Sequence, residues 1–184
     1  MASELIVQTI QGPSSGANAN KVLIPSGHTL DVSGGTLIPS AGAVVQVVNG
    51  DLGALSTSST TYSDMGTLSI TPTSASSKIL VLFEYHLYIP SAASSTWRGG
   101  LVQLVRDTTT LMSDNSGYGD SHYFASNSDR QMKYVHRHNY NSPNTTDTVT
   151  YKVQGASKDG TYTQYFNNPS YGAGGRITLM EIAQ

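Results

Sequence analysis

Residues 78–89 read KILVLFEYHLYI, and their alternation decides the fold. Successive side chains of a strand point to opposite sides, so Ile79, Val81, Phe83, Tyr85, Leu87 and Ile89 share one face. Leu80, Leu82, Glu84, His86 and Tyr88 share the other. The first face is apolar throughout, whereas the second begins apolar and turns polar. This pattern predicts a central strand, buried on one side and partly covered on the other.

Working outward, the same period predicts strands at 43–48, 66–71, 100–106, 131–138, 146–153, 161–166 and 176–183. Gly50-Asp51 opens a Ser/Thr-rich connection, Pro72 ends the strand before it, and residues 112–130 read as the longest polar loop. No stretch combines a helical period with caps. The expected fold is all-β: an antiparallel β-sandwich of roughly eight or nine strands, jelly-roll-like.

Residues 21–48, KVLIPSGHTLDVSGGTLIPSAGAVVQVV, carry a weak repeat, in which Leu23-Ile24-Pro25-Ser26 returns as Leu37-Ile38-Pro39-Ser40. Glycine and proline cut these strands before a sheet face builds up, so the segment needs neighbours to cover its apolar side chains. Residues 1–43 therefore read as an extended N-terminal arm for attachment or intersubunit contact, with Leu5, Ile6, Val7, Leu23, Ile24, Leu37 and Ile38 as its apolar contacts. Residues 44–184 read as the sandwich head.

Composition narrows the function. Charged residues make up 12% and the net charge is −2, with no basic run for nucleic acid or an anionic membrane. No apolar run approaches the roughly 20 residues of a membrane helix. The N-terminal MASELIVQTIQG carries Glu4 and no basic leader, unlike an export signal. The absence of cysteine excludes disulfides and thiolate metal sites, and fits a protein made in a reducing cytoplasm.

Several segments together resemble a known family. They are PSGHTLDVSGGTL (25–37), Thr60-Thr61-Tyr62-Ser63-Asp64, ITPTSASSKILVLFEY (70–85) and the closing ITLMEIA (177–183). Over nearly the whole chain this resembles the tail-fibre-like structural proteins of bacteriophages, particularly of marine and cyanobacterial phages. The resemblance implies a virion component, usually a homotrimer, attached by its N-terminal segment. Its β-sandwich head would meet the host surface, a glycan or a protein. A capsid decoration, cement or head-fibre protein suits the same arm and head. The family carries no shared catalytic motif.

The residues themselves argue for contact rather than turnover. His136 and His138 share a strand face with Tyr134, which makes them weak metal candidates; a polar strand face backed by Lys133 and Arg137 is the favoured reading. Glu84 and His86 also share a face and suggest a hydrogen-bonded pair at a seam. Glu84 and Glu181 sit in strands without the paired geometry of a glycosidase. Asp114, Asp120 and Asp129 read as turn formers. No GxSxG elbow, P-loop or dinucleotide fingerprint occurs, so neither an enzyme nor a cofactor is expected. A carbohydrate-active enzyme or carbohydrate-binding module is the weakest alternative. Tyr118, Tyr123, Phe124, Tyr140, Asn167 and Tyr171 lie among Asn, Ser and Asp, the adaptable chemistry of contact surfaces, and are the receptor-contact candidates. The same aromatics equally suit sandwich ends or subunit seams. Trp97-Arg98 would serve as an interface anchor.

Overall fold

A computed structural model of the chain describes residues 13–17, 19, 21–29, 39–90, 96–114, 120–124, 131–170 and 174–184. The chain divides into two units, Met1–Ile38 and Pro39–Gln184. In the first, the described residues make turns: Ala19 N–H donates to the Gly16 carbonyl and His28 N–H to that of Pro25, both at 3.1 Å. Val22, Leu23 and Ile24 are exposed there. Leu5, Ile6, Val7, Leu37 and Ile38 lie outside the described residues.

Among the described residues the second unit holds eleven strands and no helix. They are β1 (Val44–Leu52), β2 (Leu55–Thr57), β3 (Ser63–Ile70), β4 (Lys78–Ile89), β5 (Thr96–Arg106), β6 (Thr109–Ser113), β7 (Asp120–Phe124), β8 (Gln131–Asn141), β9 (Val149–Ser157), β10 (Gln164–Phe166) and β11 (Gly175–Ile182). One sheet runs β1-β11-β4-β10-β2, with β8 on the far side of β4; the other runs β3-β9-β5-β6, with β7 also pairing β5.

Every pairing is antiparallel, and the order has a simple logic. β1 pairs β11, β3 pairs β9, β4 pairs β8 and β5 pairs β6. The first principal strand thus meets the last, the second the next to last, and so inward to the central hairpin. A single long hairpin ribbon folded over itself gives this nesting, which is the jelly-roll arrangement of two Greek keys. The three short strands are additions: β2 and β10 extend the first sheet beyond the end of β11, and β7 extends the second.

The inner faces meet as the alternation requires. Ile79, Val81, Phe83, Tyr85, Leu87 and Ile89 are all buried, against Met65, Val102, Leu104, Tyr151 and Val153 of the opposite sheet. Phe166 is the keystone. A Cβ at Gly100 would meet its ring at 2.5 Å, so the absent side chain of one sheet makes room for the aromatic ring of the other. Toward β8 the interior is polar: Arg137 donates to Asp114 at 2.8 Å, and Asn141 Oδ1 accepts from Arg106 and Tyr151, each at 2.9 Å.

Several details differ from the sequence reading. β1 continues through Gly50-Asp51 to Leu52, because its pairing with β11 carries the ladder on. The expected loop at 112–130 contains the end of β6 and all of β7, so Tyr123 and Phe124 stand in a strand. Asp114 forms no simple turn; its carboxylate also accepts the Val102 N–H at 3.1 Å and fastens β5 to β8 through Arg137. The second face of β4 is partly covered, as expected, and the covering falls on its polar end. Leu80 and Leu82 stand partly open, whereas His86 and Tyr88 are buried.

Candidate functional site

The outer face of the β1-β11-β4-β8 sheet is the most distinctive surface among the described residues. Cross-strand register arranges it in rows. Val47, Met180, Leu80 and Tyr140 stand opposite one another from β1 to β8. The next row is Asn49, Thr178, Leu82 and His138, and the third is Asp51, Arg176, Glu84 and His136. Beyond the third row, His86 faces Tyr134 and Tyr88 faces Met132. Val47 is 50%, Leu82 38%, Met132 45%, Tyr134 64% and Tyr140 51% exposed. A jelly-roll sheet with one face on the core ordinarily turns polar residues outward. Here one complete row and several neighbouring outward positions carry large apolar and aromatic side chains.

Acidic and basic side chains alternate along the third row, and Lys78 adds a cation beside Tyr140 at the far end of the face. Arg176 Nε lies 3.7 Å from Asp51 Oδ1, and His136 Nδ1 lies 3.1 Å from Glu84 Oε2. All four side chains are well exposed, so these pairs contribute little to folding. A concavity of about 360 Å³ opens between the second and third rows, lined by Leu82, Glu84, His136, His138, Arg176 and Thr178. A smaller one of about 110 Å³ adjoins it, walled by Glu84, His86, Tyr134 and Gly174.

Asn167 fastens the backbone of His86, one of the residues walling the smaller hollow. It adopts a left-handed φ of 49°, donates its N–H to the His86 carbonyl at 2.8 Å and accepts the His86 N–H on Oδ1 at 3.0 Å. Its side chain thereby stands in for a strand residue where β10 has ended and β11 has not begun. A Cβ at Gly175 would meet the Glu84 carbonyl at 2.6 Å and Asn167 Oδ1 at 2.7 Å, so the clasp requires glycine there. Asn167, expected at a contact surface, is instead buried. Its amide is committed to backbone, a common use of Asn at a chain break.

The remaining expected residues are dispersed. Tyr140 stands on the open face, with Lys78 Nζ 5.6 Å from its ring centre. Tyr123 lies on the second sheet, 5.3 Å from Trp97, and both are partly exposed. Arg98, in contrast, is buried against the Tyr162 ring, so Trp97 and Arg98 do not share a surface. Tyr118 and Tyr171 lie outside the described residues, as does the side chain of Phe124. Glu84 pairs with His136 rather than with His86. His136 and His138 share the face as expected, but no group of three or more His, Cys, Asp or Glu among the described residues converges to hold a metal ion.

Two buried polar groups frame this sheet. His86 packs its ring 5.0 Å from that of Tyr134, and neither ring nitrogen has a hydrogen-bond partner among the described residues. Burial lowers its pKa, because the charged form has lost its hydration. Glu181 is buried too, and burial alone would raise its pKa. Bonds from Gln46 (2.6 Å) and from the Thr73 N–H and hydroxyl (2.8 Å each), with Ser77 adding a further one, outweigh that and bring it below the usual value. It clamps β1 and the β3–β4 turn to β11.

Sequence reasoning missed Val47, Met180, Leu82 and Arg176 as one surface. The signal was the apolar start of the second face of β4, but the rows appear only once β1, β4, β8 and β11 are in register.

No protein-family model matches the chain, and no curated protein matches it. Among solved structures, one described as "Structure of infectious bursal disease virus Gt strain" is similar over 88% of this chain, at 11% identity and a TM-score of 0.33. The present chain spans 43% of the length of that one.

Proposed function

We propose that the chain is a structural protein of a virion, acting through protein–protein contact and turning over no substrate. The observation that carries this reading is the open sheet face. An exposed apolar row (Val47, Met180, Leu80, Tyr140), extended by Leu82 and bordered by polar side chains, marks an interaction surface more often than a solvent face. The other supports are the jelly-roll topology, which recurs in capsid and lectin modules, and the resemblance of segments 25–37, 70–85 and 177–183 to phage tail-fibre-like proteins. Fold alone decides no function, so the face is given the greater weight.

In its finer form the proposal is a homotrimeric, tail-fibre-like subunit made in the host cytoplasm. Residues 1–43 attach it to other virion proteins, and the head displays an adhesive surface to a host glycan or protein. A capsid decoration or head-fibre role is the second reading, favoured by a face suited to neighbouring subunits. Antibody raised against the full-length chain, applied to purified particles, tests both. Labelling of the particle is expected; at the tail it supports the fibre, and over the shell the decoration protein. A chain absent from particles contradicts both readings.

A further inference from the structure

We propose that the open face binds a second copy of the same face about a two-fold axis that runs parallel to the strands, between β11 and β4. This deepens the assembly reading by naming the partner, and it rests on that reading only in treating the face as an interface.

The face is complementary to itself. Four strands in the order β1-β11-β4-β8 have their midline between β11 and β4. Rotation about that midline lays β1 over β8 of the mate and β11 over β4 of the mate, with each row facing its own copy. In the third row, Asp51 then meets His136 of the second copy and Arg176 meets Glu84 of the second copy. Acid faces base at all four positions. In the second row, Asn49 meets His138 and Thr178 meets Leu82. In the first, Val47 meets Tyr140 and Met180 meets Leu80, apolar against apolar throughout. An axis across the strands would instead oppose the apolar row to the charged one and bury unpaired charge, which is costly. The row order therefore selects the axis direction, and the alternation of acidic and basic side chains is compatible with the midline position. An isologous contact needs both properties in one patch.

The opposite face of the molecule lacks them. Its outward side chains bond one another within the chain: Ser69 with Thr150 at 2.8 Å, Thr71 with Thr148 at 2.7 Å, and Gln103 to Gln154 to Asp64. A face whose polar groups are already satisfied gains little from a partner.

Four strands at about 4.8 Å and three rows give a patch about 20 Å across. That is modest beside a standard interface, so pairing is expected to depend on concentration. In a trimeric particle the contact would join two trimers.

The test uses two full-length charge variants, R176E and E84R, in light scattering over a range of concentrations. The substituted side chains are exposed, and circular dichroism checks each fold. Alone, each variant sets like charges against each other twice across the axis. Self-association is expected to weaken at least about tenfold. Mixed in equal amounts, the two variants restore opposite charges at both contacts, and paired mass returns. The pair D51K and H136E repeats the experiment at the other two positions of the row. A wild-type chain that never doubles its mass overturns the proposal. So do single variants that associate like wild type, or a mixture no better than its components. These results leave particle labelling, and hence the virion reading, to stand or fall separately.

Discussion

The two outer faces of this sandwich come from the same chain, the same strand chemistry and one shared core, yet they are finished differently. On the β3-β9-β5 side, short polar side chains bond across strands and leave little to satisfy, apart from the Trp97–Tyr123 pair at one end. On the β1-β11-β4-β8 side, valine, leucine, methionine and tyrosine face outward in register, followed by a mixed row and then a row of alternating acidic and basic side chains. A core needs only one face of each sheet. What the other face carries answers to its surroundings, and under the proposed pairing these are water on one side of the molecule and a second copy on the other.

The sharpest way to break that comparison is within β4 itself, where adjacent residues serve opposite faces. Leu87→Ala, on the core side, should cost about 2–5 kcal/mol in urea unfolding, since a cavity is left among residues that cannot close it. Glu181→Gln should cost about 1–3 kcal/mol. The amide keeps one acceptor for Thr73 but turns a donor toward the Gln46 amide, which keeps only its bond to the Thr71 carbonyl, so a buried N–H at 181 is left facing another donor.

Acid separates the buried groups by pH. The lowered pKa of His86 means that the unfolded chain binds the proton more readily. Its contribution is therefore complete above the ordinary value of 6.5 and is lost as pH falls below it. Glu181, also lowered, holds its contribution above 4.5 and loses it as pH falls further. Urea midpoints measured across pH should decline in two stages, and His86→Phe should flatten the first while leaving the second.

The smallest expected stability effect belongs to the open face. Leu82→Asp should change unfolding free energy by no more than about 0.5 kcal/mol, as at other exposed sites, yet remove self-association in light scattering. Thr67→Asp, on the outer face of β3, should leave both unchanged.

Much of the core was legible in the sequence, because alternation over 78–89 leaves one arrangement in which six apolar side chains are buried together. The site was less so. Leu82 and Val47 look like core residues on composition alone. Only the pairing of β1 with β11, from opposite ends of the head, sets them on one outer face. The covering of His86 depends on Tyr134 across the strand pair and on Asn167, whose clasp fills a gap between two strands. β2, β6, β7 and β10 escaped or shifted because strands of three to five residues carry too little alternation to outweigh their polar composition.

One measurement tests the difference between the faces most directly. The chain contains no cysteine, so a single introduced thiol takes a spin label at one known place. Labels at Met132, exposed on the open face beyond the three rows, and separately at Thr67, on the closed one, are compared by dipolar spectroscopy in full-length protein. A well-defined distance between copies is expected for Met132 and none for Thr67. A defined distance at Thr67 with none at Met132, or no distance at either, would contradict the difference between the faces.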